Sequence, residues 1–180
     1  MMTLQRFQPS QLLHINEAVA MAEELVSNHY KLSTAQWLRR KYDVKTATDL
    51  SPHELINGPF AQVIRYEGRR ADADLKSEVF DFYKICLQDH AILSVLEHSP
   101  SLKLFPFTLY IITHELIHIV RFTKFLQSFV ATADERLAEE IRVHETTHEI
   151  LKPVKIAGMG SVFSFYSKWR KDFDSLRNPD

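Results

Sequence analysis

The chain has 180 residues, enough for one domain spanning 1–180 with a sizeable buried core. Its hydrophobic share of 45% and charged share of 25% are ordinary for a globular protein, and a net charge of −1 offers no global attraction to nucleic acid or to an anionic membrane. The single cysteine, Cys86, excludes an intrachain disulfide and favours the cytoplasm.

No nucleic acid and no membrane is therefore expected as a partner. Residues 1–9 lack a basic region followed by an apolar run, so no secretory signal is expected. The longest apolar region, 102–120, carries Lys103, Pro106, His114, Glu115 and His118, which suits a buried helix better than a bilayer span.

In chain order, Pro9 and Ser10 open a helix over 10–30, with Leu12, Ile15, Val19, Val26 and Tyr30 on one face. A shorter helix is predicted over 34–42. Pro52, Gly58 and Pro59 then break 41–68 into a short helix and a strand at 62–66. Leu75, Val79, Phe82, Cys86, His90 and Leu93 recur at helical spacing, predicting a helix over 74–97 that ends at Ser99-Pro100-Ser101. The next helix runs from Pro106 to 131, with no strand expected directly before it. Its Phe122, Phe125 and Phe129 serve core packing. Thr132-Ala133-Asp134 is a tight connection, with Asp134 as N-cap of a helix ending at Lys152, before Pro153. Gly158 and Gly160 mark a turn, and Ser161 opens a last helix carrying Phe165, Trp169 and Phe173. With only 4 glycines, the expected fold is all-α: an up-and-down helical bundle.

The chemistry lies in a motif that occurs twice: His114-Glu115-Leu116-Ile117-His118 and His144-Glu145-Thr146-Thr147-His148. On a helix, residues i and i+4 lie one above the other, so each copy aims two imidazoles the same way beside a carboxylate. A first-row divalent metal takes such donors. If the hairpin between the two helices centres near 132, His118 stands opposite Glu145 and His148, on antiparallel neighbours ~8–10 Å apart. The preceding helix brings His90 and Asp89 to the same level. This predicts one buried metal site between consecutive antiparallel helices. Burying so many polar groups costs several kcal/mol unless they are paired or ligate something. Taken alone, His90 reads more readily as a core histidine bonded to a backbone carbonyl than as a ligand. His144 and Glu145 read equally as surface residues if their helix turns by one position. Glu135, Glu139 and Glu149 read as solvated helix charges.

Three functions fit these residues. One is a zinc hydrolase acting on a small-molecule or peptide substrate, and here the chain resembles the zincin metallopeptidases. Residues Thr113 to Val120 match their wider pattern, and His144-Glu145 is similar to the His-Glu pair that supplies the third ligand in the helical glutamate-zincin group. The resemblance covers about 111–151. It implies His114, His118 and Glu145 as zinc ligands and Glu115 as general base, with His148 or His144 as substitute ligands or transition-state donors. Arg121 could orient a carboxylate or oxyanion, or simply pair with Glu145. The second reading is a di-iron or di-manganese oxidoreductase built on Glu115-x-x-His118 and Glu145-x-x-His148, with Glu23 and Asp89 as further carboxylates. Third, a closed set of His114, His118, His144 and His148 would be a structural metal site in a non-enzymatic interaction or sensor protein. The aromatics from Phe163 to Trp169 suit either a homodimer contact or a packed terminal helix.

Overall fold

The computed structural model describes residues 4–33, 35–36, 42–69, 79–124 and 130–170. Among them are α1 (Pro9–Tyr30), β1 (Tyr42–Lys45), β2 (Ala61–Arg69), β3 (Val79–Leu87), α2 (Asp89–His98), α3 (Leu104–Thr123), α4 (Ala133–Leu151) and α5 (Met159–Phe165), followed by a 3-10 turn at Ser167–Arg170. The fold is therefore mixed α/β, and the all-α bundle expected from the sequence is corrected by a three-stranded sheet of order β1-β3-β2. Central β3 runs parallel to β1 and antiparallel to β2, with Tyr42 opposite Tyr83 and Val63 opposite Ile85.

The correction centres on 79–97. Val79, Phe82, Cys86 and His90 do recur at helical spacing, but Tyr83, Ile85 and Leu87 also alternate, and these three are buried. A short apolar run fits both periods, and its aromatic and β-branched residues favour the pleated surface. The strand ends at Gln88, whose buried amide holds the corner. Its Oε1 accepts from the Ile56 N–H at 2.9 Å, and its Nε2 donates to the carbonyls of Glu54 (3.0 Å) and Cys86 (3.2 Å). Only Asp89–His98 then forms a helix.

Asp89 and His90 serve this corner. The Asp89 carboxylate accepts from the backbone N–H of Phe7 (2.9 Å) and of Ala47 (3.0 Å), tying the N-terminal segment and the turn after β1 to the head of α2. Burial raises its pKa above the ordinary carboxylate value against the lowering effect of those N–H donors. His90 Nε2 donates to the Ile56 carbonyl at 3.0 Å.

Helix α3 is buried on nearly every side: from Pro106 to Val120 the exposed area is almost confined to His114, Glu115 and His118, and Glu115 keeps the most. A helix that is apolar all round is a core helix. Helix α1 packs along it through Ile15, Ala18, Ala22 and Val26, whose small alanines permit close approach. Gly158 caps α5 at φ 84°, and a Cβ there would stand 3.2 Å from Pro106 Cγ, so both conformation and space call for glycine. No helix among the described residues is long and apolar enough to cross a membrane. The helix expected over 34–42 lies almost wholly outside the described residues, as do Leu75, Phe125, Phe129 and Phe173, while Tyr42 opens β1.

Candidate metal centre

Helix α3 ends at Thr123, and Thr132 rather than Asp134 caps α4. Thr132 Oγ1 accepts from the Glu135 N–H at 3.2 Å, and Glu135 Oε2 accepts from the Thr132 N–H at 2.7 Å. This reciprocal box sets the start of α4. The hairpin then turns about position 129 instead of 132, as the level pairs 114 with 144 and 118 with 140 show. Its partner opposite His118 is thus Glu140, not Glu145.

Both Glu140 oxygens are engaged. Oε1 lies 2.9 Å from His118 Nε2, and Oε2 lies 3.2 Å from His114 Nε2. One donor atom from each of His114, His118 and Glu140 falls within 4.8 Å of the other two, so this trio could hold a metal ion. The rings of His114 and His118 are 4.7 Å apart. Burial works to raise the Glu140 pKa, but hydrogen bonds and positive charge from His114 and His118 win and hold it well below the carboxylate range. Burial likewise pulls His114 down, yet Glu115 and Glu140 together push it up to about 10.

Glu115 lies beside the trio, its Oε1 3.1 Å from His114 Nδ1, and it faces a cleft of about 1840 Å³. Along one wall of that cleft run Pro59 to Val63, which lead into β2 and form its first residues. The β2 edge carries no further strand among the described residues. The sequence suggests a strand at 62–66 but none directly before this helix; β2 covers the first, β3 corrects the second, and both pack on α3.

The second motif divides. His144 is buried beside the trio, its ring 4.4 Å from that of His114 and its Nε2 3.9 Å from Glu140 Oε2. Burial, with the positive charge of His114 second, lowers its pKa to about 2. Glu145 is exposed. His148 lies near α5, its ring 4.4 Å from Phe163, and its buried Nδ1 has no partner among the described residues. Glu23 accepts from the Tyr42 hydroxyl at 2.7 Å, and Asp89 and His90 hold the corner before α2. None of these five joins the trio. Arg121 pairs with Glu139, not Glu145; Glu139 is buried, also receives Arg142 at 2.9 Å, and is no solvated charge. Of the terminal aromatics, Trp169 stacks on His144 at 4.5 Å, Phe163 meets His148, and Phe165 stays 39% exposed at the cleft.

The sequence reading missed Glu140. Its signal was present: Glu140 lies one turn before His144, hence on the same face. The carboxylate inside the repeated motif drew attention to the wrong glutamate. Comparisons of the chain with protein-family models, with curated proteins and with solved structures give no match.

Proposed function

We propose that this protein is a metal-dependent hydrolase of zincin type, with zinc as the ion and an extended peptide as substrate. His114, His118 and Glu140 are its ligands and Glu115 its general base. The observation that carries the reading is the convergence of two imidazoles, one turn apart on α3, on the carboxylate of Glu140 from α4. Two histidines and one glutamate leave a fourth position open, the coordination of a catalytic rather than a structural zinc site. A bound zinc ion polarises the scissile carbonyl and brings the pKa of the attacking water to roughly 7.

The remaining work falls to side chains and backbone. Glu115 takes the proton from the attacking water and returns it to the leaving amine, a role its place beside the trio and open to the cleft allows. His144 Nε2 faces the same space and supplies a donor to the oxygen that gains charge. Ala61, Val63 and Arg65 of β2 line the cleft together with Asp81 and Tyr83 of β3, so one face of the sheet would lie beside an extended chain. The size of the cleft agrees: about 1840 Å³ exceeds the ~300–1,000 Å³ of most small-molecule pockets. A dinuclear site finds less support, because Glu145 is exposed and His148 packs on Phe163. The single, buried Cys86 favours the cytoplasm as the compartment.

The test is metal analysis of protein purified without an affinity tag, paired with cleavage of an unstructured fluorescent peptide library. One zinc per chain and turnover are expected. Glu115→Gln should keep the zinc and lose at least about 100-fold in kcat. Retained turnover in that variant removes the general-base assignment. Two irons per chain replace the hydrolase with an oxidoreductase.

A further inference from the structure

The side chain behind His144 bears on whether the metal position stays open. A neutral imidazole carries one N–H, and the partner of one nitrogen decides which nitrogen bears it. The Tyr110 hydroxyl lies 2.7 Å from His144 Nδ1, deep in the core, with Tyr110 only 1% exposed. Two arrangements are possible across this contact. If Nδ1–H donated to the phenol oxygen, the phenol hydrogen would have no acceptor among the described residues. The bare lone pair of Nε2 would also face the acceptor oxygens of Glu140. If the phenol donates to Nδ1, both problems vanish: the hydroxyl is satisfied, and Nε2–H points towards Glu140. A buried donor left unmade costs about 1–3 kcal/mol, so the second arrangement prevails.

The ring is held in that pose from several sides. Trp169 stacks on His144 at 4.5 Å with planes 17° apart, and Tyr166 stacks on Tyr110 at 4.1 Å with planes 8° apart. His144 is 5% exposed. Its ring centre is 4.4 Å from that of His114, closer than His114 is to His118. Such an imidazole, with a free Nε2 lone pair 3.9 Å from Glu140 Oε2, would need only a small shift to become a fourth ligand, its donor atoms lying outside the trio's 4.8 Å set. A set of His114, His118, Glu140 and His144 would close the site and make it structural.

From this geometry we infer that Tyr110 is a positioning residue that locks His144 as its Nε2–H tautomer, barring it from the metal and turning it into a hydrogen-bond donor to the substrate. The inference rests on the metal reading above. Tyr110 thus separates a hydrolytic site from a sealed one by acting through His144.

The primary test is the histidine ¹⁵N spectrum of metal-free protein, which reads the tautomer without any turnover. His144 should show a protonated Nε2 and an unprotonated Nδ1. The reverse pattern in the wild-type protein overturns the inference, and this measurement needs no variant to fold. Tyr110→Phe removes the donor. In the folded variant His144 should shift towards the Nδ1–H form, and zinc should bind at least tenfold more tightly as the fourth ligand joins. An unchanged tautomer, or an unchanged zinc Kd, also overturns it. Failure of the hydrolase reading looks different: turnover is absent or survives Glu115→Gln, while the His144 tautomer stays as inferred.

Discussion

At the scale of single residues, burial and partnership decide what each ionisable group does. Glu54 is 1% exposed. It receives Lys84 Nζ at 2.8 Å, the Ser51 N–H at 2.8 Å and the Tyr66 hydroxyl at 2.8 Å. The Lys84 hydrogen bond comes first among the causes that hold its carboxyl down to about 2, from an ordinary 4.5. A carboxyl depressed by folding adds stability that is complete above its unfolded pKa and is lost as pH falls through its folded one. The contribution of Glu54 should therefore be full above about pH 4.5 and fade as pH falls towards 2. Urea midpoints of wild type and Glu54→Gln, measured at pH 5 and pH 3, should differ more at pH 5. An equal difference at both values would contradict this assignment. The same logic separates the nine histidines. His90 is a core histidine on a backbone carbonyl, while His114 and His118 share a carboxylate between helices.

At the scale of elements, the register of the α3–α4 hairpin decides which glutamate reaches the histidines. Arg121 and Glu139 form its clamp, one turn beyond His118 and adjacent to Glu140, and both side chains are nearly buried. Removing the guanidinium leaves Glu139, among the described residues, with the half-exposed Arg142 as its ion-pair partner. Arg121→Ala should cost about 2 kcal/mol in urea unfolding. It should also weaken zinc binding by roughly 10-fold, because Glu140 loses its fixed register. Full zinc affinity in this variant would show that the register does not depend on the clamp. Much of this hairpin was legible in the sequence: the helix carrying His114 and His118, the helix carrying His144, and their antiparallel order. The turn was not. The sequence places the pivot near 132, and moving it by three to 129 shifts the residue opposite His118 by six, from about 146 beside Glu145 to Glu140. Helix α1 and the core of β2 were readable from period and from Pro9, Gly58 and Pro59. Strand β3 was not, because its apolar residues satisfy helix and strand spacing at once, and only pairing with β1 and β2 decides between them.

At the scale of the whole molecule, the sheet changes what the metal trio can do. Here β2 and β3 pack on α3, and residues of both strands, of α3, of α4 and of the terminal aromatics line the cleft. Helix α3 is thus buried along its length yet opens at His114, Glu115 and His118, which line the cleft. The account turns on a metal held between α3 and α4 by Glu140. Zinc titration of the wild type, Glu140→Gln and Glu145→Gln tests it most directly. Glu140→Gln should weaken zinc binding on the order of 100-fold or more, and Glu145→Gln should leave it unchanged. Equal affinities for Glu140→Gln and wild type, or a loss confined to Glu145→Gln, would contradict the proposed centre.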